Sequence, residues 1–178
     1  KRQVQTTAKK FLADGLKFDY IFASPFVRTQ ETAGIVAKTL GIEKKNIITD
    51  NRIHEIQSGV FDGKSFDEYH AFFGTDDRFV KKPEGGENFT EIRRRMGEFI
   101  YDIDSKYEGK SILVVTHDTP AWLLYSLANG ANNKLTAEIH GSDDHFFRNA
   151  EARVLDFAQL PHNADYALDL HRPYIDEV

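Results

Sequence analysis

The sequence contains no cysteine among its 178 residues, so disulfide bonds and thiolate metal sites are excluded. No apolar run approaches the ~20 residues that a membrane-spanning helix needs, and no signal peptide precedes the first predicted helix. Basic residues are outnumbered by acidic ones, 23 to 28, and the formal net charge of −5 argues against general nucleic-acid binding. We therefore expect a cytoplasmic protein that has no membrane partner.

The composition, with 40% hydrophobic and 29% charged residues, is typical of a soluble globular protein whose length suits one domain. Apolar strand-like runs alternate with segments of helical periodicity, which predicts a three-layer α/β/α fold with a mainly parallel sheet. The predicted strands are Tyr20–Ala23, Asn46–Thr49, Ser111–Thr116 and Ala152–Phe157, and the predicted helices include Lys1–Ala13, Phe66–Phe73 and Glu91–Tyr107. Ser111–Thr116 is continuously apolar, which predicts burial on both faces.

The stretch Asp19–Gly41 organises the rest of the chain. Ser24-Pro25 breaks its strand, and a helix follows that should end at Gly41, a typical C-cap residue. Arg28 falls in the first turn of this helix. Unpaired N–H groups at a helix N-terminus, together with a guanidinium, suit a phosphate. The alternative is that Arg28 only pairs with a nearby glutamate.

The segment SPFVRTQETA resembles the S-P-x-x-R-x-x-E-T-A signature of the histidine phosphatase superfamily, which includes the cofactor-dependent phosphoglycerate mutases. The resemblance implies a phosphoglycerate mutase-like fold. It also implies that Arg28 grips the transferred phosphoryl group and that Ser24 belongs to the same phosphate site.

His117 follows a predicted strand and opens a helix, the position at which open α/β sheets place their ligand sites. In the resembling family a second histidine follows such a strand and binds the phosphoryl group beside the nucleophile. The resemblance therefore gives His117 a phosphate-binding role within the catalytic site.

Two residues are candidates for the proton donor. HDTPAWLL is similar to the H-D-T-x-x-x-x-L motif of the acid-phosphatase and phytase branch, in which Asp118 would be the donor. NRIHEIQSGVFDGKS resembles the donor loop of the mutase-like branch, in which Glu55 takes this role. We favour Glu55, because the intervening PEGGENFTEIRRR also follows the mutase-like branch. The basic run Arg93–Arg95 in this segment predicts a solvated helix face, with phosphate binding as the lesser alternative.

The family's nucleophile, a histidine in an R-H-G motif before the first helix, has no counterpart among the 178 residues. The chain starts at KRQVQTTAKKF, which resembles the first helix of the family. We expect upstream residues of the same polypeptide to fill the place of the missing strand, with a partner chain or Tyr166–Leu170 as alternatives. Without the nucleophile, the 178 residues alone should not transfer phosphoryl groups.

The tail sequence LDLHRPYIDEV resembles a stretch of the isoleucyl-tRNA synthetase catalytic domain. This predicts a phosphatase-like domain over residues 1–157 and a synthetase-like segment over residues 158–178. The leading hypothesis is phosphomonoester phosphoryl transfer through a phosphohistidine, without metal or cofactor, on a phosphorylated small molecule. Inorganic phosphate would bind the same site, and tRNA would be a partner only through the synthetase. The alternative is a catalytically inactive structural or binding insertion.

Overall fold

The computed structural model describes residues 1–74, 77–128, 130–140 and 147–155. Its helices are α1 (Arg2–Ala13), α2 (Val27–Leu40), α3 (Phe66–Phe73), α4 (Phe89–Lys106), α5 (Asp118–Ala128) and α6 (Asn133–His140), and its strands are β1 (Tyr20–Ala23), β2 (Ile47–Thr49) and β3 (Ile112–Val115). Within these ranges no helix is long and apolar enough to cross a membrane. The Tyr166–Leu170 segment and the predicted synthetase-like tail lie outside the described residues.

The described strands form one parallel sheet in the order β2-β1-β3. Side chains of β1 alternate between the two faces of the sheet. Phe22 packs in the hydrophobic core under α4 and α5. Ile21 and Ala23 pack in a second core with α1 and α2. The predicted α/β fold with a parallel sheet is therefore confirmed.

Local sequence signals set the helix ends. Asn88 and Glu91 form a reciprocal capping box at the start of α4, in which each side chain accepts from the other residue's backbone N–H. Gly41 ends α2 in the left-handed conformation, with φ 71°, and donates its N–H to the carbonyl of Ala37. The predicted boundaries of these helices lie within a few residues of the observed ones.

The prediction that Ser111–Thr116 is buried on both faces is wrong, because every residue of β3 is only half-buried. Within the described ranges β3 pairs with β1 alone, so its other edge has no strand beside it. β1 pairs directly with both β2 and β3, which leaves no empty position between them. A further strand could therefore join only beside β3 or β2, and its origin stays a prediction.

The predicted strand Ala152–Phe157 is wrong over residues 152–155, which are not in a strand, and its last two residues lie outside the described ranges. Side-chain contacts hold this segment instead. Arg153 Nε lies 2.7 Å from Glu151 Oε1, and its guanidinium lies 4.2 Å from the centre of the Phe147 ring. Helix α6 was not predicted from the sequence, although the Asn132 side chain at its N-terminus accepts the Leu135 N–H at 2.7 Å.

Candidate functional site

The site lies where the parallel strands end. Ser24 directly follows β1, and Arg28 belongs to the first turn of α2. His117 lies between β3 and α5, and Glu55 lies in the loop after β2. Because the carboxyl ends of parallel strands meet at one edge of a sheet, the topology brings these four residues together.

His117 is the centre of this group. Its Nε2 lies 2.8 Å from the buried Ser24 Oγ, and its Nδ1 lies 3.0 Å from Arg28 Nε. Glu55 completes the group, with Oε2 at 3.5 Å from Arg28 Nη2 and 3.7 Å from His117 Nδ1. Arg28, His117 and Glu55 therefore contact one another, and the Arg28 side chain reaches the protein surface, at 61% exposure.

The contact with Arg28 decides which nitrogen of His117 carries a proton. A guanidinium can only donate, so Nδ1 must be the acceptor, and the hydrogen of the neutral ring lies on Nε2, which donates to Ser24 Oγ. Burial lowers the pKa of His117 to about 4, and the nearby positive charges of Arg28, His54 and Arg95 add to this effect. The imidazole is therefore neutral near pH 7.

Glu55 is perturbed in the opposite direction. Burial raises the pKa of its carboxyl above the ordinary value, and the negative charge of Asp118 adds to the rise. A hydrogen bond from the Ile56 N–H to Oε1, at 3.0 Å, and the charges of Arg28 and Arg95 oppose it. The carboxyl thus keeps its proton to a higher pH than an exposed glutamate, which is what a general acid requires.

Asp118, the other sequence candidate, is the first residue of α5. Its Oδ1 accepts the backbone N–H of Phe147 at 2.7 Å, so this carboxyl joins α5 to Phe147. The structure thus brings Ser24, Arg28, Glu55 and His117 into direct contact, and it places Asp118 beside them.

Phe26 is a part of the site that the sequence did not predict. Its ring packs edge-on against the His117 ring, with 5.1 Å between centroids, and the Arg28 guanidinium lies 4.9 Å from its centre. The motif SPFVR places it between two recognised positions, but a single aromatic residue in a turn gives no signal of its partners. Phe26 therefore limits the orientations open to the His117 ring and to the Arg28 guanidinium.

Among the described residues, no group of three or more His, Asp or Glu side chains is arranged to hold a metal ion. The chemistry that the described side chains offer is anion binding by Arg28 and proton transfer by His117 and Glu55.

Backbone hydrogen bonds tie the loop that carries Glu55 to the segment 83–87. The N–H of Val60 donates to the carbonyl of Glu84 at 3.0 Å, and the N–H of Glu87 donates to the carbonyl of Gln57 at 2.9 Å. Ser58 and Gly86 form an isolated antiparallel bridge between them. The close approach of these two backbone segments depends on Gly59, which has no side chain at the point where they meet.

We expect Gly59→Ala to destabilise the protein by about 3 kcal/mol or more. A Cβ at this position would lie 2.1 Å from the backbone oxygen of Glu84, and φ is +57°. Gly63 is a matched control, because its φ of +75° carries similar backbone strain but no atom lies within 4 Å of its added Cβ. Gly63→Ala should cost only about 1–2 kcal/mol. Urea unfolding measures the free energy of unfolding of both variants. Equal destabilisation by the two substitutions would show that the contact of Gly59 with the Glu84 backbone does not limit the residue at this position.

The low pKa of His117 predicts a pH dependence of stability. The unfolded chain, with the ordinary pKa of 6.5, binds a proton that the folded state excludes until about pH 4. The free energy of unfolding should therefore fall as pH falls from 6.5 towards 4. His117→Gln should remove this part of the pH dependence.

Ring nitrogen chemical shifts from NMR report the titration of His117 directly, with the same variant assigning the signal. A His117 pKa at or above the ordinary value would contradict both the burial and the hydrogen bond from Arg28.

The model of the Histidine phosphatase superfamily (branch 1) matches residues 1–159. Phosphoserine phosphatase 1 of Hydrogenobacter thermophilus is 27% identical over 138 residues, which cover 74% of this chain and 63% of that protein. The 2-carboxy-D-arabinitol-1-phosphatase of Triticum aestivum is 29% identical in an alignment that covers 96% of this chain and 33% of that protein.

A solved complex of a mycobacterial glucosyl-3-phosphoglycerate phosphatase with inorganic phosphate superposes with a TM-score of 0.63, at 15% identity, over 76% of this chain and 70% of that one. This likeness shows a common fold. The chain spans less than two thirds of the length of the two named relatives.

Proposed function

Because the chain belongs to the histidine phosphatase superfamily, we propose that it provides the phosphate-binding and proton-donating part of a phosphomonoester phosphatase or mutase. The observation that carries this proposal is the contact of Arg28 and Glu55 with one ring nitrogen of His117 at the end of the sheet. During phosphoryl transfer negative charge lies on the phosphoryl oxygens and develops on the leaving oxygen. Such a cluster offers hydrogen-bond donors to the former and a proton to the latter.

In the proposed mechanism a nucleophilic histidine from another part of the polypeptide attacks phosphorus, an N–P bond forms and the P–O bond to the alcohol breaks. Arg28 releases His117 and donates to the phosphoryl oxygens, and Ser24 keeps the ring in place. Glu55 gives its proton to the leaving alkoxide. The resulting carboxylate then takes a proton from the water that hydrolyses the phosphohistidine, which restores the starting state.

His117 can support this anion only after it gains a proton on Nδ1. A bound phosphate supplies negative charge beside the ring and removes Arg28 from it, and both changes raise the pKa of His117. Phosphate binding should therefore be coupled to proton uptake near neutral pH. The ligand class that follows is a phosphorylated small molecule or inorganic phosphate.

The test is phosphate release by the full-length protein that contains these 178 residues, measured on a panel of phosphomonoesters with and without vanadate. We expect hydrolysis that vanadate inhibits. Absence of hydrolysis with retained phosphate binding would support instead the second hypothesis, a catalytically inactive binding module. An R-H-G motif upstream of Lys1 in the full-length protein would favour the phosphatase, and its absence there would favour the binding module.

We further propose that residues 158–178 belong to a synthetase-like unit in which the phosphatase-like domain, residues 1–157, is inserted. The support is the sequence LDLHRPYIDEV and the family match, which ends at residue 159. The alignment with the wheat phosphatase, in contrast, covers 96% of the chain. Isoleucine-dependent ATP–pyrophosphate exchange by the full-length protein would support the synthetase unit, and its absence would overturn it.

A further inference from the structure

The three arginines of α4 do not form the solvated face that their sequence predicts. Arg94 does, with its side chain 82% exposed beside Glu98. Arg93 is buried and donates to the side chain of Asn133 at 2.8 Å. Arg95 is also largely buried, at 11% side-chain exposure. The prediction is wrong for two of the three positions, and Arg95 points towards the loop that carries Glu55.

Arg95 makes a two-pronged ion pair with Glu87. Its Nε lies 2.9 Å from Glu87 Oε1 and its Nη2 lies 3.1 Å from Oε2, and the Glu87 side chain is only 13% exposed. This parallel arrangement is the strongest geometry available to an arginine and a carboxylate. It holds the guanidinium in one orientation.

The remaining donors of Arg95 reach the backbone on either side of the ion pair. Nη1 donates to the carbonyl of Arg52 at 2.6 Å, and Nη2 lies at 3.5 Å from the carbonyl of Glu55. Glu87 contacts the next part of the same loop, because its Oε2 accepts the N–H of Gln57 at 3.1 Å. The buried pair therefore holds the backbone before, at and after Glu55.

A second contact fixes this loop from the side of the sheet. Thr116 Oγ1, next to His117, donates to the carbonyl of Ile53 at 2.7 Å. The end of β3 and the helix α4 thus hold the loop from two directions. The side chain of Glu55 in this loop faces Arg28 and His117.

We propose that Arg95 and Glu87 are positioning residues that keep the carboxyl of Glu55 at the phosphate site. This inference rests on the proposed function, in which Glu55 is the proton donor. Neither residue contacts the phosphate in this scheme, and both act through the backbone of the loop. Proton transfer is sensitive to such placement, because a misplacement of about 1 Å can cost on the order of 100-fold in rate.

The first test compares two leaving groups. An alkyl phosphate such as glycerol 2-phosphate needs a proton on its leaving oxygen, whereas p-nitrophenyl phosphate leaves as a stable phenolate. In the full-length protein we expect Arg95→Ala to lower kcat for the alkyl ester on the order of 100-fold and kcat for the aryl ester much less. Glu87→Ala should have the same effect on the two kcat values. Arg94→Ala, one residue away from Arg95 and exposed, should change neither kcat.

A merely structural role of the pair would lower both rates by the same factor and leave their ratio unchanged, which would overturn the inference. An increase of KM alone for both esters would overturn it as well, because Arg95 would then act on substrate binding.

A second measurement does not depend on activity. Carbon-13 NMR of labelled glutamate follows the titration of Glu55 in the ligand-free full-length protein, with Glu55→Gln assigning the signal. If Arg95 positions the carboxyl, Arg95→Ala releases it to solvent and the pKa of Glu55 falls, because burial is the main cause of its elevation. If Arg95 acts only as a nearby charge, removal of that charge raises the pKa, and a rise overturns the inference even in a wild type that hydrolyses neither ester. Failure of the proposed function alone would appear as an inactive wild type whose Glu55 pKa falls on Arg95→Ala.

Discussion

Glu55→Gln is expected to lower kcat for alkyl phosphomonoesters on the order of 100-fold or more, the typical contribution of a general acid. Asp118→Asn is expected to lower it far less. The physical reason is that the two carboxyls lie in different environments. Glu55 has a raised pKa and lies within 4 Å of both Arg28 and His117. It can hold the proton and deliver it to an ester oxygen bound there.

Glutamine preserves much of the local structure at this position. Its amide oxygen can accept the Ile56 N–H as the carboxylate does, so the loop need not move. What it cannot do is release a proton to the leaving alkoxide. The loss should therefore be large for esters with poor leaving groups and small for p-nitrophenyl phosphate.

Asp118→Asn is the matched comparison, because the amide oxygen of asparagine can still accept the N–H of Phe147. The substitution removes one negative charge near the site, and with it part of the rise in the pKa of Glu55. A modest shift of the basic limb of the kcat profile to lower pH should accompany this variant. The reverse ranking of the two variants would assign the proton to Asp118, as in the acid-phosphatase branch.

Arg28→Ala should weaken the binding of inorganic phosphate or vanadate by about 10- to 100-fold, since a charge-assisted hydrogen bond contributes about 1.5–3 kcal/mol. Arg28→Lys should fall between wild type and alanine, because an ammonium keeps the charge but loses the planar pair of donors. Isothermal titration of the full-length protein measures all three affinities. Arg94→Ala controls for the loss of a positive charge elsewhere on the surface.

Removal of Arg28 should also raise the pKa of His117, because a neighbouring positive charge and a donor to Nδ1 are lost together. This second readout checks that the variant is folded and that the site has changed as intended. An unchanged phosphate affinity together with this pKa rise would mean that Arg28 serves only as a partner of Glu55 and His117. That outcome corresponds to the alternative from the sequence that Arg28 only pairs with a nearby glutamate.

The sequence by itself determined the local structure around the site. Ser24-Pro25 follows a strand of four residues, Gly41 ends the next helix in the left-handed conformation, and Asn88 with Glu91 starts α4. These outcomes depend on contacts between residues that are close in the chain, so propensity, capping and periodicity carry enough information to predict them. The same signals indicated which residues follow the strand ends, and therefore which could meet at the edge of the sheet.

The tertiary structure decided what those residues do to one another. Arg28 and His117 are 89 residues apart, and their contact sets the proton position on the ring. The run Arg93–Arg95 looks uniform in sequence, yet only its middle member faces solvent. Long-range contacts also distinguish Glu55, which lies beside Arg28 and His117, from Asp118, which accepts the N–H of Phe147. The sequence left both acids as candidates for the proton donor, although it favoured Glu55. Desolvation and hydrogen-bond partners belong to the packed chain, and no local pattern of residues encodes them.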